Sequence, residues 1–160
     1  MDVRGSSALM HVIRALCSVK GYTAEFRVDS VLDKKGDQPF RALRFKATRG
    51  QSWDEFNATD FTKTSLLKAT SKSPVDKLSY AAVAEVRLHQ AVAIHCYSDD
   101  EEAVSRAIKA LAAVPRLTSG KKLCCVPSFG RAGPDRKPVL RLYLRRYVGQ
   151  NVSPSTEEAE

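Results

Sequence analysis

An α/β fold, in the two-layer α+β arrangement, is predicted by three observations in this sequence of 160 residues. Short apolar runs, some with strict alternation, are typical of strands with a buried face. Two other segments have the three-to-four-residue apolar spacing of amphipathic helices. Clusters of Gly, Pro, Asp and Ser separate these segments. The predicted order is a partial αββ half-module (1–50), a connecting segment (51–63), a complete βαβαββ domain (64–148) and a disordered acidic tail (149–160).

The first half is predicted to contain one helix and one hairpin. Ala8–Leu16 has helical apolar spacing and parallels Ala103–Leu111, most clearly in Ile-Arg-Ala-Leu against Ile-Lys-Ala-Leu. Strands are expected at Thr23–Leu32 and Phe40–Thr48, on either side of the turn segment Asp33–Asp37. The half thus repeats the later order of elements, unless the repeat is a coincidence of common elements. A mitochondrial presequence is the alternative interpretation of the N-terminus, which is amphipathic and poor in acids.

The connecting segment carries three aromatic residues, Trp53, Phe56 and Phe61. A free linker would seldom contain so much apolar surface, so we expect this segment to pack against the body of the protein. From Gly149 onward the chain is polar and acidic, which predicts disorder.

The second half opens with a predicted strand at Ser65–Ala69 that leads into a helix. Ser73 is the expected N-cap, Pro74 the first helical residue and Asp76 the acid that completes a capping box. The apolar residues of this helix recur on one face: Val75, Leu78, Ala82 and Val86.

A strand and a second helix are predicted next. Gln90–Tyr97 is an apolar run of strand length, and Ser98–Glu101 forms a second capping box. The helix is expected to end at Pro115 and Gly120. Its predicted buried face consists of Val104, Ala107, Ile108, Leu111 and Ala112.

Two strands, Leu123–Phe129 and Val139–Tyr147, are predicted to close the domain, with residues 130–138 as a basic loop between them. Side chains alternate across a strand, so three leucines of the last strand should face the core. Arginines and tyrosines should then line the opposite face: Arg141, Tyr143, Arg145 and Tyr147.

Positive charge is concentrated in two short segments. Residues 121–146 contain eight basic residues and one acid, and residues 34–49 contain six basic residues and one acid. Each segment is strongly positive, whereas the net charge of the whole chain is only +8. Segregated charge of this kind favours a polyanionic partner, and the alternative is a solvated charged face.

Common motifs for catalysis and metal binding are absent from the sequence. No phosphate-binding loop, dinucleotide-binding motif or zinc-hydrolase motif occurs, and the three histidines lie on different predicted elements. The four cysteines lack metal-ligand spacing and have apolar neighbours, which indicates core residues in a reducing compartment. We therefore expect a non-enzymatic intracellular protein of the cytoplasm or nucleus, with the mitochondrion as the alternative. No metal or cofactor is expected. No membrane is expected as a partner either, since no apolar run reaches membrane-spanning length.

The predicted order of elements across residues 64–148 resembles the Alba superfamily. Ser71–Val75 is similar to the Gly-Lys-Lys-Pro-Val loop of that family, with Lys72 at the first lysine and Ser73 in place of the second. Leu67–Ser73 and Lys122–Phe129 resemble two strands of the bacterial stage V sporulation protein S family. The residues from Arg4 to the Lys35-Gly36 hairpin look like the second half of that same module.

The resemblance implies nucleic-acid contacts from Lys72 and a dimer in which two basic hairpins embrace the nucleic acid. In this chain the half-module would replace a second protomer and bring the two basic loops onto one binding side. A homodimer, or a partner protein that completes the half-module, is the other arrangement that the resemblance implies.

These observations predict binding of RNA or single-stranded nucleic acid, with DNA as the alternative partner, at low sequence specificity through phosphate neutralisation and tyrosine stacking. The expected contact residues are Lys72, Lys121, Lys122, Arg131, Arg136 and Lys137, with Lys34, Lys35, Arg141 and Arg145 in support. The rival interpretation is a structural or adaptor subunit of a larger ribonucleoprotein that acts mainly through protein contacts.

Overall fold

The computed structural model describes residues 2–33, 40–52, 66–118 and 123–146. Its helices are α1 (Ser6–Cys17), α2 (Val75–His89) and α3 (Glu101–Leu117). Its strands are β1 (Asp2–Val3), β2 (Tyr22–Asp33), β3 (Phe40–Ser52), β4 (Leu67–Lys68), β5 (Ala91–Tyr97), β6 (Leu123–Ala132) and β7 (Lys137–Arg146). The α+β class predicted from the sequence is confirmed.

One sheet contains all the described strands, in the order β1-β3-β2-β6-β7-β5-β4. The pairs are antiparallel except for β4 and β5, which are parallel. The helices cover one face of this sheet, and their apolar sides form a single core with the facing strand residues. Ile13 of α1, Val86 of α2 and Ile108 of α3 are each at most 2% exposed in this core.

The order strand, helix, strand, strand occurs twice in the sheet. In the first copy, β1 precedes α1 and pairs with β3, the second strand of the β2-β3 hairpin. In the second copy, β5 precedes α3 and pairs with β7, the second strand of the β6-β7 hairpin. The sequence analysis predicted a first copy of helix, strand and strand, and β1 was missed. A strand of only two residues gives too little alternation to be recognised in a sequence.

The two copies meet where β2 lies antiparallel to β6. Phe26 is opposite Cys125 at this junction, and its ring lies 5.4 Å from that of Phe45 on β3. On the other face of the sheet, an Arg145 guanidinium nitrogen lies 2.7 Å from a Glu25 carboxylate oxygen, so this ion pair spans from β7 to β2. The junction thus combines an aromatic contact on the helix-covered face with an ion pair on the opposite face.

The helix ends differ from the expected capping pattern. Pro74 is the N-cap of α2 and helix formation begins at Val75. The Ser73 hydroxyl instead accepts a hydrogen bond from the Thr70 N–H at 2.9 Å, which holds a turn before the helix. The N-cap of α3 is Asp100, whose carboxylate accepts from the Ala103 N–H at 3.1 Å.

Proline does not end α3 where the sequence suggested. Pro115 lies inside the last turn, and the helix continues to Leu117. The Thr118 hydroxyl donates to the carbonyls of Val114 and Pro115, both at 3.2 Å, and Arg87 of α2 donates to the Leu117 carbonyl at 3.0 Å. These bonds satisfy carbonyl oxygens at the helix end, where intrahelical donors are missing.

The basic connection between β6 and β7 is shorter than predicted. The strands stay paired as far as Ala132 and Lys137, so residues 130–138 are largely β-ribbon and the turn itself is Gly133–Arg136. Gly133 and Arg136 have left-handed φ angles of 74° and 49°, which supply the curvature of the turn. Phe56, Phe61 and Trp53 of the connecting segment and the predicted acidic tail lie outside the described residues.

Within the described ranges, no helix is both long and apolar enough to cross a lipid bilayer. Cys96, Cys124 and Cys125 are buried and Cys17 is half-buried, all as free thiols. Burial raises the pKa of Cys96 to about 12, with Asp100 adding to the effect. The cysteines therefore behave as small core residues with poorly nucleophilic thiols, as their apolar neighbours indicated.

Candidate nucleic-acid interface

The face of the sheet opposite the helices carries the polar side chains of β7. Leu140, Leu142 and Leu144 are at most 4% exposed on the helix-covered face. Arg141, Tyr143 and Arg145 alternate with them and are half-buried. The alternation predicted for this strand is confirmed over these residues. We call the side opposite the helices the open face, because no described helix covers it.

One end of the sheet brings together the ends of β4 and β5 and the start of β7. The Ala69 N–H donates to the His95 carbonyl at 2.8 Å, which joins the end of β4 to β5. The Ser98 N–H donates to the Pro138 carbonyl at 3.1 Å, which joins the end of β5 to the start of β7. The helices α2 and α3 also begin at this end, which we call the loop end.

Tyr97 lies at the loop end between two lysines. The ammonium nitrogens of Lys68 on β4 and Lys137 on β7 are each 5.4 Å from the centre of its ring. This distance is within the range of a cation–π interaction. Tyr97 is 37% exposed, so its ring is accessible to solvent while both cations lie beside it.

A polar row crosses four strands next to Tyr97. Strand register places Lys68, His95, Arg141 and Ser128 opposite one another on β4, β5, β7 and β6. A side chain on Gly130 would collide with the guanidinium of Arg141, so this group extends across β6 above a glycine. Lys68, Tyr97, Lys137, His95 and Arg141 together form what we call the tyrosine patch.

His95 is the titratable group of this patch near neutral pH. Burial lowers its pKa below the ordinary value of 6.5, and the positive charge of Arg141 lowers it further. The protonated imidazole is thus disfavoured in the fold. As the pH falls below about 6.5, the unfolded chain takes up this proton more readily than the folded one, so this residue's contribution to stability is lost.

Replacement of Arg141 by glutamine is expected to raise the pKa of His95, because the repulsion is removed while burial remains. An NMR titration of the His95 ring protons in both proteins measures this shift. The unmodified protein, measured under the same conditions, provides the reference. An unchanged pKa of His95 would show that burial alone sets its value.

Lys72 lies in the turn between β4 and α2, also at the loop end. The backbone N–H of Lys72 donates to the Thr70 hydroxyl at 3.3 Å, and the Ser73 N–H donates to the Thr70 carbonyl at 3.1 Å. Arg106 of α3 donates to the Ser73 carbonyl at 3.0 Å. The turn is therefore fixed, while the Lys72 side chain is exposed.

The β6-β7 hairpin carries three predicted contact residues, all exposed. Arg131 lies on the same side of the ribbon as Leu140 and donates to the Arg136 carbonyl at 3.2 Å. Lys137 belongs to the open face and to the tyrosine patch. Arg131 and Lys137 thus project from opposite sides of the ribbon, so one flat surface would not contact both.

Arg145, predicted as a supporting contact, is engaged within the protein. It forms an ion pair with Glu25, whose side chain is only 10% exposed. Arg145 also forms a hydrogen bond with the thiol of Cys124. These contacts make Arg145 a structural link between the two copies.

The two basic hairpins do not converge, and this expectation was wrong. Because β2 and β6 are antiparallel at Phe26 and Cys125, the hairpins extend in opposite directions from that point. Each strand continues for seven more residues, to Asp33 and Ala132, which is roughly 23 Å at the usual rise per residue. Lys34, Lys35, Lys121 and Lys122 lie outside the described residues.

Sequence reasoning missed three members of the tyrosine patch, namely Lys68, His95 and Tyr97. Each was assigned to a strand without a partner. The missing information was register, since Lys68 meets His95 through parallel pairing and His95 meets Arg141 through antiparallel pairing. The alternation on β5 was a usable signal, because Ala91, Ala93, His95 and Tyr97 share one face.

Among the described residues, no group of three or more His, Cys, Asp or Glu side chains is arranged to hold a metal ion. No protein-family model matches this chain, and no curated protein sequence matches it either.

Proposed function

We propose that this protein binds RNA or other single-stranded nucleic acid through the tyrosine patch and the neighbouring Lys72 turn. The observation that carries the proposal is an exposed Tyr97 ring with two lysine ammonium groups 5.4 Å from its centre. An aromatic ring beside a cationic track is the arrangement that stacks an unpaired base while lysines neutralise the flanking phosphates. Paired bases in a duplex have no free face for such stacking, which favours single strands.

Membership of the Alba superfamily belongs to the same proposal. The described order β4-α2-β5-α3-β6-β7 is consistent with the βαβαββ module on which the resemblance rests. Lys72, the residue matched to a family lysine, lies at the same end of the sheet as Tyr97. These two points support a shared binding side for the turn and the open face.

The charge around the patch favours phosphate over a neutral ligand. Lys68, Lys72, Lys137 and Arg141 supply four positive charges, of which three are exposed and one is half-buried. Asp99 is an exposed acid two residues beyond Tyr97, and its negative charge marks one edge of the cationic surface. Affinity should fall steeply with salt, since each neutralised phosphate releases condensed counterions. Contacts to phosphate carry no base information, so sequence specificity should be low.

Substitution of Tyr97 by leucine is expected to weaken binding to a labelled single-stranded oligonucleotide by about 5- to 100-fold, the typical value for one stacked base. Leucine keeps apolar bulk at the strand end but removes the flat ring. Fluorescence anisotropy with the full chain at low salt measures the change. The matched control is Tyr80→Leu on the outside of α2, where the ring is 63% exposed. Equal effects of both substitutions, or none from Tyr97→Leu, would contradict the proposal.

An adaptor role in a ribonucleoprotein is the second candidate, and the outer surface of α2 favours it. Tyr80 and Leu88 are 63% and 73% exposed and lie on one side of the helix with Ala84 between them. Large apolar side chains with this exposure are typical of contact surfaces when they cluster. Under this role, Tyr80→Leu together with Leu88→Ser would abolish association with a protein partner and leave oligonucleotide binding unchanged.

A further inference from the structure

A cavity lies on the helix side of the sheet, away from the tyrosine patch. It has a volume of about 400 Å³ and is bounded by β1, the start of α1, β2, β3 and the middle of α3. Pockets for small molecules usually begin near 300 Å³, so the space suffices for a compact ligand. The cavity lies between the first copy of the repeated unit and α3 of the second copy.

Cationic side chains enter this cavity from three elements. Arg4 precedes α1, Arg41 lies on β3 and Lys109 lies on α3. None of the described residues that line the cavity is acidic. Arg41 and Lys109 bring two positive charges to a described lining without a carboxylate, which favours an anion in this space.

The start of α1 lines the same cavity. The helix has Gly5 as its N-cap, which offers no side-chain acceptor, and its first turn contains no acidic residue. The first N–H groups of a helix have no intrahelical partner and carry partial positive charge. Gly5 and Ser6 both line the cavity, so an anion there could accept from these amides.

Ser105 of α3 is a second observation that points to a polar ligand. Ser105 is only 2% exposed, and it lines the cavity. Every fully enclosed side-chain nitrogen or oxygen of the described residues has a hydrogen-bond partner. The Ser105 hydroxyl has no hydrogen-bond partner in the described part of the chain. It is therefore not one of the fully enclosed groups, and we infer that it faces the cavity. A hydroxyl this deep is normally paired, and a ligand oxygen would satisfy it.

We propose that this cavity binds a small phosphomonoester. The phosphate lies between the α1 amides, the Lys109 ammonium and the Ser105 hydroxyl, and Arg41 adds positive charge. The apolar side chains of Val3, Leu9 and Leu43 line the rest of the cavity and contact the carbon-rich part of the ligand. Inorganic phosphate alone would use the polar wall and leave the apolar wall uncovered, so it should bind more weakly.

The test uses the full chain labelled with ¹⁵N and three probes: adenosine 5′-monophosphate, adenosine and inorganic phosphate. The monophosphate should shift the amide signals of Ser6, Ser7 and Ala8 in a saturable manner. Adenosine lacks the anion and should bind at least about tenfold more weakly, because a charge-assisted contact typically accounts for that factor. Inorganic phosphate should shift the same amides at higher concentration.

Variants then assign the contacts. Lys109→Ala should weaken monophosphate binding about 10-fold and Ser105→Ala about 3- to 10-fold, in line with one charged and one neutral hydrogen bond. Lys20→Ala, an exposed lysine beyond α1, is the matched control and should leave affinity unchanged. The dispersion of the amide spectrum shows in each case whether the variant is folded.

Three results would overturn the proposal: no shift at the α1 amides with millimolar monophosphate, equal affinity for adenosine, or unchanged affinity in both Lys109→Ala and Ser105→Ala. Shifts confined to Tyr97 and Lys72 would assign the ligand to the tyrosine patch instead and would likewise overturn it. The two proposals fail separately, because Lys109→Ala should retain oligonucleotide binding and Tyr97→Leu should retain monophosphate binding.

Discussion

Replacement of Phe26 by alanine is expected to lower the free energy of unfolding by about 3–5 kcal/mol, the usual cost of removing a buried aromatic ring. Phe26 is 1% exposed, packs against Phe45 and lies opposite Cys125 where the two copies meet. A cavity here would loosen both copies at once. Urea denaturation followed by circular dichroism measures the loss, with stability compared at a fixed temperature.

The matched control for this core substitution is Phe129→Ala. Phe129 also lies on the helix-covered face of the sheet, but it is 40% exposed at the far end of β6. Its loss should cost at most about 1 kcal/mol, because much of its ring already contacts water. If Phe26→Ala were as mild as the control, the strand pairing at the junction would not describe the folded protein.

Removal of two cations from the tyrosine patch should weaken nucleic-acid binding strongly and lower its salt dependence. In the variant Lys137→Gln with Arg141→Gln, two phosphate contacts of a single strand are lost, and the salt slope should fall by about 1.4. If counterion release accounts for both contacts, affinity falls by about 65-fold at 50 mM salt and about 15-fold at 150 mM. Anisotropy titrations of one labelled oligonucleotide at a series of salt concentrations measure both quantities.

A charge-matched control separates this local effect from the overall field of the protein. Arg14→Gln with Lys20→Gln removes the same charge from exposed positions near the end of α1. The salt slope should then stay close to that of the unmodified protein. If both double variants lose affinity equally, binding depends on net charge alone and the tyrosine patch has no special role.

Elements with strong local signals could be predicted from the sequence. The apolar stripe of α2, the acidic start of α3 and the leucines of β7 each reflect contacts between near neighbours in the chain. Both hairpins were also anticipated, because strand, turn and strand follow one another directly. Helix ends were less accurate, since Ser73 and Pro115 are governed by the hydrogen bonds of Thr70 and Thr118.

Pairing between distant segments could not be predicted. The residues of β2 and β6 carry no local signal that the two strands pair with each other. Their antiparallel pairing is the reason that the basic hairpins extend in opposite directions. The same limitation hid the tyrosine patch, because Lys68, Tyr97 and Lys137 come from three separate strands. Residue types suggested the kind of ligand, whereas the identity of the contact residues depended on register.

The meeting of the two copies through β2 and β6 takes place within one polypeptide. Two free subunits joined by so few strand pairs would dissociate at low concentration, since association costs translational and rotational entropy. Here that entropy is already lost through the continuous chain, and the effective concentration of one copy near the other is high. Dilution should therefore leave this contact intact, and each copy can carry surface residues that the other lacks. A symmetric pair of identical subunits could not differ in this way.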